Sequence, residues 1–207
     1  MIIGYWNLSV VLTYLGLMFS TLGISMLMSN SFDIDVIYIL MILSGVCDLF
    51  DGSVARKIKR NSDEKKYGVE IDSLCDIVNF VIFPSILALR LNSYSFISFI
   101  IIFVFVLSGI VRLAYYNVIN TNIRSDFYIG MPVTFSSIFF PYIHIFFINN
   151  KLYNGLSMKI DENVIILFAM FVLSLLFVVR IRIKKPKIKG LIFLTLLGII
   201  AGVLLCL

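Results

Sequence analysis

The chain has 207 residues, 60% of them hydrophobic and 14% charged, with a mean hydropathy of +1.03. Soluble domains hold about 45–50% apolar residues, so the composition excludes a water-soluble globular domain and indicates an integral membrane protein. The net charge of +5, from 17 Lys and Arg against 12 Asp and Glu, has no soluble basic surface to sit on. It reads as topology and attraction to anionic headgroups, not as nucleic-acid binding.

A helix needs about 20 apolar residues to cross the hydrocarbon core. Seven segments meet this, at about 7–29, 34–56, 68–90, 94–118, 131–149, 163–181 and 189–207. They consume nearly the whole chain and predict a single all-α domain over 1–207, a polytopic transmembrane helix bundle. The runs are continuously apolar, unlike the alternating strands of a membrane barrel. The first span has no basic n-region or small-residue cleavage site, so it is expected to be retained.

Span 2 ends in Asp48, Asp51, Gly52, Ala55 and Arg56, and the basic loop 57–67 follows. Span 3 opens with Gly68, Asp72 and Asp76, then Asn79. Glu70 is expected on the opposite face, paired with Lys65 and Lys66. Span 4 carries Arg112 near its end, and span 5 begins at Gly130, Pro132 and Thr134. The free backbone N–H groups of span 5 could receive an anionic group. The lone histidine, His144, is expected to pack, and Asp33, Asp35, Asp161 and Glu162 to be solvated in outer loops. Cys47, Cys75 and Cys206 have no metal-site spacing.

Lys and Arg crowd the loops after spans 2 and 6, while the opposite loops hold only Arg90, Lys151 and Lys159. The positive-inside rule then places loops 2/3, 4/5 and 6/7 and the N-terminus in the cytoplasm. The expected location is the cell membrane, multi-pass, with the acidic residues near the cytoplasmic face.

Ionised carboxylates at membrane depth are costly and persist mainly where they function. Asp48 and Asp51 are an i,i+3 pair and Asp72 and Asp76 an i,i+4 pair, so each pair shares a helix face. Spans 2 and 3 form an antiparallel hairpin, which lets the pairs face each other. Their repulsion calls for cations, and an all-oxygen ligand set suits Mg²⁺ or Mn²⁺. Four carboxylates suffice for two ions, a device suited to displacement at phosphorus. Gly52 and Gly68 lie on the same faces, with Ala55 also small, and admit the close approach of a substrate or a neighbouring backbone. Arg56 suits a diphosphate.

The stretch Asp48-x-x-Asp51-Gly52-x-x-Ala55-Arg56 … Gly68-x-x-x-Asp72-x-x-x-Asp76 resembles the signature of the CDP-alcohol phosphatidyltransferases. Eleven residues separate Arg56 from Gly68, about three more than is usual, and they fall in the charged loop. The resemblance implies a six-helix core, to which the seventh span is added, and a homodimer within the membrane. It implies that Asp48, Asp51, Asp72 and Asp76 hold two divalent ions, with Asp76 also the general base. Asp48, Gly52, Ala55, Arg56 and Gly68 would hold the CDP-lipid. The reaction implied is attack by an alcohol on the β-phosphate of a CDP-linked lipid, releasing CMP.

Within that family the chain looks most like the membrane phosphatidylserine synthase branch, on the segments 7–15, 71–76, 112–117 and 127–134. This implies CDP-diacylglycerol and L-serine as substrates, with Asn79, Arg112, Gly130, Pro132 and Thr134 toward the acceptor. One departure stands out: where the branch reads Ser-Phe-Gly, this chain reads Asn79-Phe80-Val81. A reshaped pocket would admit another polar alcohol, such as glycerol 3-phosphate or inositol phosphate. The non-enzymatic alternative is a divalent cation transporter, against which the uncharged outer halves of spans 2 and 3, 37–43 and 81–89, argue.

Overall fold

The computed structural model describes residues 4–29, 33–55, 57–92, 95–120, 127–149, 161–184 and 188–206. Arg56 and Arg124 lie outside the described residues. Seven helices are present among them: α1 Leu8–Met28, α2 Ile34–Ala55, α3 Ser62–Leu91, α4 Phe96–Asn120, α5 Ser136–Asn149, α6 Glu162–Val178 and α7 Ile188–Cys206. Each corresponds to one predicted span. Three segments, Val10–Met28, Ser62–Leu91 and Phe96–Ile119, are long and apolar enough to cross a membrane on length and composition. The chain is an all-α membrane helix bundle.

Two local features depart from expectation. Helix α3 begins at Ser62, inside the segment expected to be loop. The cause is a capping box: the Glu64 N–H donates to Asn61 Oδ1, and the Asn61 N–H donates to Glu64 Oε2, both at 2.8 Å. The extra residues between Arg56 and Gly68 are thus absorbed largely as helix. A short antiparallel sheet also forms, β1 Phe127–Ile129 with β2 Arg182–Lys184. It ties the loop before α5 to the loop before α7, as their expected placement on one side requires.

Helix α1 packs through a buried stripe of Val10, Thr13, Gly16, Ser20, Gly23 and Leu27. The 3-4 spacing of this stripe keeps one face of the helix toward its neighbours. Small residues let backbones approach closely in a membrane, where hydrophobic transfer does not drive helices together. Ser20 Oγ donates to Ser44 Oγ of α2 at 2.9 Å. One turn on, a Cβ at Gly23 would run into the Phe83 ring of α3. Beyond this seam the core is filled by Ile37, Tyr38 and Met41 of α2, Phe80, Phe83 and Leu87 of α3, Phe105, Phe140 and Phe177. Phe99, Phe103, Phe168 and Phe171 point outward and are exposed, as suits faces bathed in hydrocarbon.

Asp35 and Glu162, expected to be solvated, are instead partners of His144. Its Nε2 lies 3.0 Å from Asp35 Oδ1 and its Nδ1 2.7 Å from Glu162 Oε1. The ring also stacks on Tyr38 at 4.4 Å. A buried imidazole flanked by carboxylates on both nitrogens pins α2, α5 and α6 together. No spacing in the sequence links residues 109 positions apart.

Gly23→Ala places a methyl 2.8 Å from Phe83 Cε2, and Phe83 is fully buried. Overpacking of this kind costs about 1–3 kcal/mol. The unfolding midpoint of the purified protein in detergent is expected to fall accordingly; an unchanged midpoint would show that α1 is not seated on Phe83.

Candidate active site

The α2–α3 hairpin and α4 enclose a cleft of about 780 Å³, lined by Asp48, Asp51, Gly52, Asp72, Asp76, Arg112 and Tyr116 among others. Tyr128 of β1 and residues 132–134 close one side, and Leu191 of α7 touches it. Lys65, Lys66 and Glu70 also line it. Glu70, expected to face away from the aspartates, thus borders the same cleft.

All four aspartates meet here. One carboxylate oxygen from each of Asp48, Asp72 and Asp76 falls within 4.8 Å of the others. Across the hairpin, Asp48 comes into direct reach of Asp76, and Asp51 of Asp72. Asp51 and Asp76 are 6% and 9% exposed, so water screens their charges poorly. The donor set fits a hard divalent cation: oxygen ligands only, close enough to share one coordination sphere. Such an ion would remove the repulsion that the bare carboxylates impose on one another.

Asp76 owes its setting to a break in α3. The helix widens into a π-turn over Ile77–Ile82, where the Phe83 N–H donates to Val78 O. Pro84 explains it. Proline has no N–H for the carbonyl one turn back and its ring crowds that position, so the Phe80 carbonyl loses its helical donor. Ser136 Oγ of α5 supplies one at 2.8 Å, and Ser85 Oγ donates to Val81 O at 2.6 Å. The extra residue shifts the phase of the helix: Asp72 and Asp76 line the cleft while Phe80 and Phe83 enter the core. Turns of this type recur at functional sites.

Arg112 is 5% exposed and does not pair with the aspartates. Its Nε donates to Met131 O at 3.1 Å and its Nη2 to Gly130 O at 3.4 Å, and the guanidinium lies over the Tyr116 ring at 5.1 Å. Gly130 has φ +76, and a Cβ there would come 2.7 Å from Phe177 O, so only glycine fits. Just before the helix, Gly130 N donates to Ile181 O and Met131 N to Leu176 O. The corner therefore braces Arg112 against the cleft wall. Pro132 and Thr134 line the cleft.

Other expected site residues stand apart. Asn79 is buried against the α1–α2 contact, its Nδ2 beside Gly16. Gly68 faces the Arg60 guanidinium, 3.0 Å from where a Cβ would sit. Ala55 ends α2 at intermediate burial. Several cleft contacts involve residues given no role in the sequence reading, although all lie in the segments 7–15, 71–76, 112–117 and 127–134 that carry the resemblance. Thr13 Oγ1 donates to Asp51 Oδ2 at 2.8 Å. Ser73 and Asn117 are hydrogen-bonded across α3 and α4, with Asn117 Nδ2 2.9 Å from Ser73 Oγ. Tyr128 approaches Tyr116, ring centroids 5.7 Å apart. The clue for Thr13 was its place in segment 7–15, one of those that carry the resemblance.

The family model of the CDP-alcohol phosphatidyltransferases matches residues 6–173, and the chain belongs to this family. Helix α7 lies outside the match. The chain is 37% identical over 97 residues to a CDP-diacylglycerol–serine O-phosphatidyltransferase of Helicobacter pylori, covering 45% of this chain and 39% of that protein. With the Bacillus subtilis protein of the same name it shares 35% over 101 residues, covering 47% and 54%. With an archaetidylserine synthase of Methanothermobacter thermautotrophicus it shares 31% over 116 residues, covering 56% and 48%. The matches thus span about half, or less, of each relative's length.

Asp72→Asn and Asp76→Asn each remove a charge while keeping size. With chelator present, both are expected to unfold at higher temperature than the wild type, because less carboxylate repulsion remains. Both should lose the gain in midpoint that Mn²⁺ or Mg²⁺ gives the wild type. Thermal unfolding in detergent with EDTA and with each ion measures this; a wild-type midpoint that neither ion moves would count against a cation site.

Proposed function

We propose that this member of the CDP-alcohol phosphatidyltransferase family transfers the phosphatidyl group of CDP-diacylglycerol to the hydroxyl of L-serine, releasing CMP. The observation that carries this reading is the convergence of Asp48, Asp51, Asp72 and Asp76 on one cleft, in a chain whose curated relatives are named for the serine reaction.

Two divalent cations, Mg²⁺ or Mn²⁺, held by the four aspartates would neutralise the diphosphate and the developing charge on the leaving group. The remaining roles fall to the chain itself. Asp76 takes the proton of the serine hydroxyl as its oxygen attacks the β-phosphorus, and the bond to the CMP oxygen breaks. Gly52 leaves room for the nucleotide along α2, and Ala55 and Gly68 are assigned to the same substrate. Arg56 meets the diphosphate. Arg112, braced by the Gly130 corner and Tyr116, faces the acceptor carboxylate together with Pro132 and Thr134. The apolar walls limit competing hydrolysis. Asn79 acts through packing of the base-bearing helix, since it does not reach the cleft lining.

The departure at Asn79-Phe80-Val81 is compatible with serine. Val81 is fully buried and packs toward α4: a Cβ at Gly109 would come 2.7 Å from Val81 Cγ2. Its added bulk is taken up between helices and not in the acceptor pocket. A phosphorylated acceptor would call for further basic groups beside Arg112. Transport across the bundle is disfavoured by the packed layer of Ile37, Tyr38, Met41, Phe80 and Phe83 within it. The cleft would open at the cytoplasmic face, where Lys65, Lys66, Arg182 and Lys184 gather, with the N-terminus on that side. A homodimer in the bilayer completes the reading, through the exposed apolar faces of the outer helices.

The test is CMP release from CDP-diacylglycerol by the purified protein with Mg²⁺ or Mn²⁺, across serine, glycerol 3-phosphate, inositol phosphate and glycerol. Serine is expected to be the productive acceptor, and Asp76→Asn to lower turnover by at least ~10²-fold, the scale of general-base catalysis. Activity with glycerol 3-phosphate alone would refute the acceptor. No product with any alcohol would refute the enzyme.

A further inference from the structure

Helix α1 carries no carboxylate and no basic residue, yet it reaches the acidic cluster. Thr13 Oγ1 donates to Asp51 Oδ2 at 2.8 Å, across 38 positions of sequence, and the two residues are 8% and 6% exposed. Elsewhere helical threonines bond to their own backbone: Thr21 to Leu17 O and Thr195 to Leu191 O, each one turn back. That is the ordinary resort of a hydroxyl in a membrane helix. The Thr13 hydroxyl reaches another helix.

The bond has a consequence for the cluster. Asp48, Asp72 and Asp76 bring their oxygens within one 4.8 Å group, and Asp51 is not part of it. Asp51 is held instead between Thr13 on one side and Asp72 on the other. A carboxylate with one oxygen engaged by a fixed donor has lost most of its rotational freedom, and its second oxygen points in a set direction. Thr13 is itself fixed. It is β-branched, with a stiff χ1, and it sits in the buried stripe between Val10 and Gly16, where α1 meets α2.

We infer that Thr13 is a positioning residue of the cation site: through its hydrogen bond to Asp51, helix α1 sets the orientation of a carboxylate ligand borne by α2. This rests on the aspartates binding a divalent cation, not on the identity of the acceptor. Outer partners that orient a ligand change metal affinity by about 10–100-fold when removed.

Direct Mn²⁺ binding to the purified full chain, followed by electron paramagnetic resonance, tests it without recourse to turnover. Thr13→Val, which keeps the shape and deletes the donor, is expected to weaken Mn²⁺ binding by about 10–100-fold. Thr13→Ser restores the hydroxyl and should stay within about threefold of the wild type. Ser20→Ala is the control for packing, because it removes another buried hydrogen bond of the same seam without touching Asp51. Unchanged Mn²⁺ affinity in Thr13→Val would overturn the inference, as would an equal loss in Ser20→Ala. If Thr13→Val cannot be recovered folded, Thr13→Ala carries the same comparison. Wild-type protein that binds Mn²⁺ but releases no CMP would refute the transferase reading and leave the role of Thr13 standing. Wild-type protein that binds no Mn²⁺ would overturn this inference.

Discussion

Mutual repulsion among four carboxylates in a poorly hydrated cleft is the constraint around which this bundle is arranged. Water screens the charge of Asp51 and Asp76 poorly, and Arg112, which lines the same cleft, spends its nitrogens on backbone carbonyls. A divalent cation would neutralise them, and the scaffold has to be rigid enough to hold them together without one. The α2–α3 hairpin brings the pairs face to face, and most other features of the fold resist its opening.

Four devices contribute to that rigidity. The small-residue stripe of α1 seats it on both arms of the hairpin, through Ser20 on Ser44 and Gly23 on Phe83. The π-turn created by Pro84 rotates the lower part of α3, so that aspartates and core aromatics leave the same helix in different directions. The β1–β2 ribbon fixes Gly130, which in turn holds Arg112. At the opposite end of α2, Asp35–His144–Glu162 fastens the helix to α5 and α6. Each device satisfies polar groups that membrane surroundings would leave unpaired, so each costs more to disrupt than its single hydrogen bonds suggest.

Arg112 shows how a polar group in a membrane protein takes on two tasks. Two of its nitrogens serve backbone carbonyls and its plane covers Tyr116, yet it lines the cleft. A cation held in this way would meet a ligand at small entropic cost, because its geometry is set before anything binds.

The seven helices and the acidic hairpin could be read from the sequence because they rest on local regularities. Apolar run length, the i,i+3 and i,i+4 placement of carboxylates and the asymmetry of basic loops each act within a helix or between adjacent helices. What joins distant segments could not be read in this way. The His144 clamp, the strand pairing of 127–129 with 182–184, the turning of Asn79 toward α1 and the bond from Thr13 to Asp51 all depend on which helix faces meet. In a bilayer that choice follows from side-chain fit and hydrogen bonding, with little hydrophobic transfer to bias it. Sequence therefore determined what the helices carry, and tertiary packing alone decided which of those groups share a site.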